Sequence, residues 1–208
     1  LETGSFRATI GPVRMADASG NTYYRWVVGL AGGYDRVNQK GRGLYILDAY
    51  TGELLWKAEY DAGDAKLAHM KYSFAATPGF FRVQDESNDS GIAFNYMFAA
   101  DTGGQIWVVD MSQPGDTSTG LVNNWTADRH FVANDPSIPT GSTLTASTYQ
   151  TRPIFFIPFV YRPGNGPERI IFGTGDRAVM IPEGEGADID DRICNEEGRL
   201  YAVKFDLT

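Results

Sequence analysis

The chain has 208 residues, of which 42% are hydrophobic and 13% aromatic, with 24 glycines. That balance suits an all-β repeat protein with a sizeable core better than a helical or disordered chain. A formal charge of −8 argues against sequence-independent binding to nucleic acid, whose phosphates need a basic surface. No apolar run approaches the roughly 20 residues of a membrane-spanning helix. The single cysteine, Cys194, excludes an internal disulfide, and no Cys-x-x-Cys-His is present to attach a c-type haem. No leader of charged, apolar and small residues opens the sequence, so an exported chain is expected to have lost its signal.

Residues 1–25 are polar and glycine-rich, and residues 10–15 read as an edge strand. Trp26-Val27-Val28-Gly29 then runs through Gly32-Gly33-Tyr34-Asp35 into Gly43-Leu44-Tyr45-Ile46-Leu47-Asp48. A Thr51-Gly52 turn lets the chain fold back, and Trp56, five residues after Thr51, is placed to pack between sheets. That segment resembles the tryptophan-docking repeat of quinoprotein propellers, with a purely structural turn as the stronger reading. Residues 65–72 have helical propensity but are too short to stand alone, and predict a crossover with a turn of helix. His69 within them, and His130 later, have no second His or Cys nearby, so neither points to zinc.

The stretch Phe94-Asn95-Tyr96-Met97-Phe98-Ala99-Ala100 followed by Asp101-Thr102-Gly103-Gly104 and Gln105-Ile106-Trp107-Val108-Val109-Asp110 predicts a hairpin on a glycine turn. The loop before it is acidic. Asp85, Ser87 and Asp89 alternate as oxygen ligands to calcium do, and Asn95 closes the set. Ser90 stands where an EF-hand needs glycine, and no terminal Glu follows, so an irregular calcium loop and a solvated acidic turn are both open readings. Residues 111–151 are rich in Ser, Thr, Gly, Asn and Pro and read as a long surface loop, with Trp125 and residues 130–132 forming an outer strand. A third unit pairs Arg169-Ile170-Ile171-Phe172-Gly173 with Leu200-Tyr201-Ala202-Val203 around an acidic insertion. In that insertion Asp188, Asp190, Asp191, Asn195 and Glu197 form a second cation-like pattern, with a plain acidic loop as the alternative.

Each unit is preceded by a proline-led strand, at Pro12, Pro78 and Pro153, so the period is about 66 and then 75 residues. This exceeds the roughly 40–50 residues of common propeller repeats and places the excess in loops. The expected fold is all-β and β-propeller-type, with about three four-stranded antiparallel blades over residues 8–60, 73–135 and 150–208.

With those motifs in order, the chain resembles the C-terminal β-propeller of the PilY1/PilC family of type IV pilus biogenesis and tip-adhesin proteins, over about residues 25–205. The resemblance implies a domain larger than this chain, with further blades supplied by another segment or by a partner chain. It implies a calcium loop at Asp85, Ser87, Asp89 and Asn95, with fewer acids than the family pattern. It also implies a non-enzymatic role in pilus assembly or adhesion, with minor pilins and a host or surface ligand as partners. The expected location is the pilus tip at the cell surface, or alternatively the periplasm or outer membrane. No Gly-x-Ser-x-Gly elbow or Gly-Lys-Ser/Thr phosphate loop is present to suggest catalysis. The alternative is a fragment of a quinoprotein (PQQ-type) dehydrogenase propeller, in which the docking tryptophan should recur; it has no clear repeat here.

Overall fold

The structure, a computed structural model, describes residues 8–35, 37–83, 91–118, 120–133, 153–164, 166–175 and 199–205. The first strands, β1 (Thr9–Ala16), β2 (Thr22–Ala31), β3 (Gly43–Asp48) and β4 (Leu54–Glu59), pair antiparallel with their neighbours in sequence. A single 3-10 turn, Leu67–His69, lies in the crossover where a turn of helix is expected. The second sheet follows as β5 (Gly79–Phe81), β6 (Tyr96–Ala100) and β7 (Gln105–Asp110). The chain then returns to the first sheet as β8 (Gly115–Asp116), parallel to β1, before completing the second as β9 (Thr126–Val132). The third sheet is β10 (Phe159–Tyr161), β11 (Arg169–Gly173) and β12 (Leu200–Lys204). Among the described residues the sheets therefore hold five, four and three strands, in a β-propeller-like all-β fold.

The period of two along β6 and β7 decides how the sheets stack. Met97, Ala99, Trp107 and Val109 enter one core with Val13, Met15, Val27, Leu44 and Ile46 of the first sheet. The intervening Tyr96, Phe98, Ala100, Ile106 and Val108 enter a second core with Ile170 and Phe172 of the third and with Phe205, just past its last strand. The second sheet is thus buried on both faces, which is why its hairpin is almost continuously apolar instead of alternating with polar residues. Phe80 and Phe94, stacked at 5.7 Å, press against the first sheet at Gly11, where a Cβ would lie 2.4 Å from the Phe94 ring. Glycine is the residue that permits this approach.

Residues 10–15 lie in β1, which pairs with β2 along one side; on its other side the only strand it pairs with, among the described residues, is β8 at Met15 and Ala16, so most of it is an edge, as expected. One expectation is corrected: Pro153 does not lead a strand. The Ile154 N–H donates to the Asp101 carbonyl at 3.2 Å, which anchors Ile154 in the second core, and Pro158 has no N–H to extend a ladder. The third sheet's first strand therefore begins at Phe159.

Candidate functional site

The turns β2–β3 and β6–β7 meet at one rim of the stack, together with the crossover after β4 and residues 153–155. Asn38 sits in the left-handed region at φ 52, and its side-chain oxygen accepts from the Ser73 N–H (2.7 Å) and the Thr102 hydroxyl (2.9 Å). Thr102 N–H donates to the Ser73 carbonyl at 2.9 Å, and the Ser73 hydroxyl donates to the Asp35 carbonyl at 3.2 Å. The Asp35 carboxylate accepts N–H groups from Val37, Gln39 and Lys40. Partial burial pushes its carboxyl up, but those donors outweigh burial and hold it below the usual range. Tyr34 meets Phe155 edge-on at 5.6 Å on the same rim.

Asp101 anchors the rim from below. Its carboxylate is fully buried and accepts from the Gly103 N–H (2.9 Å), the Gln105 N–H (3.0 Å), the Gln105 side-chain amide (2.8 Å) and the Trp107 indole N–H (3.0 Å). Burial pushes the carboxyl up to about 7, against the opposing pull of these donors. The ring of Tyr72 lies on the turn itself, because a Cβ on Gly103 would sit 2.1 Å from it. Gln105 also donates to the His69 carbonyl and accepts from Arg129. Among the described residues no buried side-chain nitrogen or oxygen lacks a partner. The rim is a mutually satisfied hydrogen-bond network that holds loops in fixed positions.

The opposite rim carries the β3–β4 turn and the neck of the acidic loop. Asp48 accepts from the Arg25 guanidinium at 2.5 Å and from the Tyr50 and Thr51 N–H groups, and Arg25 beside it holds the carboxyl well below the usual range. Asp85, Ser87 and Asp89 lie outside the described residues, as do Asp188, Asp190, Asp191, Asn195 and Glu197. Asn95 is buried at the neck of the loop. Its side-chain oxygen accepts from the Val83 N–H at 2.8 Å, and its amide donates to the Val83 carbonyl at 3.0 Å. The oxygen keeps a second lone pair. Arg82 closes the same neck with a hydrogen bond to the Gly91 carbonyl. Among the described residues no group of three or more His, Cys, Asp or Glu is arranged for a metal.

Sequence reasoning placed Trp56 between sheets, and the structure does so. It is buried, and its indole N–H reaches the Trp125 carbonyl at 3.1 Å. Trp107 behaves differently, since its indole bonds within its own hairpin to Asp101. The excursion over 111–125 is a strap and not a surface loop. It gives β8 to β1, accepts from Arg14 at the Ser112 carbonyl (2.8 Å) and donates from the Val122 N–H to the Leu55 carbonyl (2.8 Å). The run Gly115, Val122 and Trp125 was the available signal, because buried apolar residues recur among its polar ones.

Against known proteins, no family model and no curated protein matches this chain. Among solved structures it is similar to the Pseudomonas aeruginosa PilY1 C-terminal domain, at 20% identity and a TM-score of 0.42. The similarity covers 79% of this chain and 32% of the other, so the chain spans about a third of the length of that solved domain. No helix among the described residues is long and apolar enough to cross a membrane.

Proposed function

We propose that this chain is a non-enzymatic binding module, a run of blades from a PilY1/PilC-type propeller acting in type IV pilus assembly or adhesion at the cell surface. The observation that carries the reading is the coincidence of motif order with sheet order. The segments that resemble the family fall on β3–β4, β6–β7 and β11–β12, one hairpin in each successive sheet. Its partners are minor pilins, a host or surface ligand, and the segment or chain that supplies further blades. The satisfied rim network supports a scaffold whose loops present contacts, the usual division of labour between a rigid frame and its connections.

Calcium belongs to the same reading. Asp85, Ser87 and Asp89 would supply oxygens, and Asn95 closes the ring while clamping the neck of the loop. Such an ion would order the loop by neutralising its acids. The alternative, a PQQ-type quinoprotein fragment, is favoured by the docking of Trp56 against Trp125. The deciding experiment adds minor pilins and calcium in one arm and quinone with an electron-accepting dye in the other. Saturable pilin binding without dye reduction supports the adhesion reading, and quinone-dependent dye reduction overturns it.

A further inference from the structure

The Asp101 carboxylate is saturated with donors. Its Oδ1 accepts the backbone N–H groups of Gly103 and Gln105, and its Oδ2 accepts the Gln105 side-chain amide and the Trp107 indole N–H. The two oxygens of a carboxylate offer about four acceptor positions in all, so a proton joins this one only by displacing a donor. The group is fully buried, and among the described residues no cation forms an ion pair with it. Burial without a paired cation favours the neutral form and pushes the carboxyl up to about 7.

Which donor gives way follows from what holds each one. The two backbone N–H groups on Oδ1 belong to the turn, which the Asp101 N–H closes by donating to the Gln105 carbonyl at 3.1 Å. The Trp107 ring is locked in the first core. The Gln105 amide, though buried, exchanges donor for acceptor by a half-turn about its last bond, a soft and roughly two-fold torsion. At present its nitrogen donates to Asp101 Oδ2 (2.8 Å) and to the His69 carbonyl (3.0 Å), while its oxygen accepts from the Arg129 guanidinium (3.0 Å). We infer that protonation of Asp101 at Oδ2 turns the Gln105 amide over, so that its oxygen accepts the new O–H and the His69 carbonyl and Arg129 are both released. The turned amide presents N–H to a guanidinium that has no acceptor, and oxygen to a carbonyl that has no donor, so neither old contact survives. Mild acid thereby unties the 3-10 turn Leu67–His69 from β7 and frees the exposed Arg129 of β9.

The ionisable groups around this site are few. The crossover brings His69, Lys71 and Tyr72, and β9 brings Arg129 and Asp128, the latter paired with Lys66. His130 of β9 meets Phe205 edge-on, Asp35 of the β2–β3 turn is held by N–H groups of its own turn, and Pro153, Ile154 and Phe155 do not titrate. Burial, with the charges of Arg129 and Lys71, holds His69 below 6.5, so Asp101 takes its proton first as pH falls. Burial and the Asp101 charge push Tyr72 up, which keeps it neutral.

The test is a pH titration of the full chain by heteronuclear NMR, following the Asp101 carboxyl carbon, the Gln105 side-chain amide and the Arg129 guanidinium. In the wild type all three are expected to shift with one shared midpoint near 7. Asp101→Asn places a permanent donor at the carboxyl and should leave the Gln105 and Arg129 signals unchanged with pH. Arg129→Met removes the group that holds the amide in its present orientation and should raise the Asp101 midpoint by about one pH unit. The wild type and Arg129→Met decide the matter even where Asp101→Asn does not fold. An Asp101 that titrates while Gln105 and Arg129 stay still would overturn the inference, because the proton would then enter without turning the amide. An Asp101 that remains ionised down to about pH 5 would overturn it too, as would an Arg129→Met midpoint at or below that of the wild type.

Discussion

The indole N–H of Trp56 on β4 donates to the backbone carbonyl of Trp125, just before β9, at 3.1 Å inside the first core. This bond joins β4, at one edge of the first sheet, to the approach of β9, at one edge of the second. Trp125 in turn donates its own indole N–H to the Gln113 carbonyl at 3.0 Å, so the strap is tied into the same joint. Trp56→Phe keeps most of the apolar volume and leaves the Trp125 carbonyl unpaired, and should lower unfolding free energy by about 1–3 kcal/mol. Trp56→Ala adds a cavity and should cost about 3–5 kcal/mol. Denaturant titration of both variants measures the two costs, and a Trp56→Phe variant as stable as the wild type would mean the hydrogen bond contributes nothing.

The contact between Gly103 and Tyr72 predicts a coupled pair. Gly103→Ala should displace the Tyr72 ring and destabilise the chain by about 1–3 kcal/mol. In a Tyr72→Ala background the same substitution should cost much less, because the obstructing ring is gone. A double-mutant cycle with no coupling would contradict the close approach.

Asp101 predicts a pH dependence. Its folded-state value, about 7, lies above the unfolded reference of 3.8. The protonated carboxyl therefore favours the fold, fully below about pH 4, and this contribution is lost as pH rises through about 7, by at most ~1.4 kcal/mol per pH unit. Asp48, with its carboxyl held low by Arg25, acts in the opposite sense and loses its contribution as pH falls below the unfolded value of 3.8. The difference between wild type and Asp101→Asn isolates the first effect. Asp101→Asn should be less stable at pH 4–5, by about 1–3 kcal/mol, with a gap that narrows toward pH 7. A gap that widens over that range would contradict the assignment.

The acidic loop predicts a calcium response. Added calcium should raise the melting temperature of the wild type and not of Asp85→Ala or Asp89→Ala. Asn95→Ala should lower stability even without calcium, since it leaves the Val83 backbone groups unpaired at a buried site. An unchanged calcium response in both aspartate variants would refute that loop as the site.

Much of the frame was legible from local chemistry. The hairpin over 94–110 announces itself through a near-continuous apolar run broken by Asp-Thr-Gly-Gly, and Trp56 through its position after a Thr-Gly turn. What was not legible depends on distant partners. Residues 152–157 look like a strand, yet the Ile154 N–H is taken by the Asp101 carbonyl and cannot enter a ladder. The polar composition of 111–125 hides a strap whose hydrogen bonds go to Arg14 and Leu55, far away in sequence. Asn38 gave no sign that its side chain would join Ser73 to Thr102, because no local pattern encodes a contact between three separate turns.

The central claim is that the second sheet is the middle layer of a stack, enclosed by its neighbours on both sides. Native-state hydrogen exchange tests it most directly. Backbone amides of Tyr96–Ala100 and Gln105–Asp110 that lie in the ladder should exchange only through global unfolding and show the highest protection in the chain, above β10 and β12. Amides of β6 and β7 that open as readily as those of β12 would contradict it.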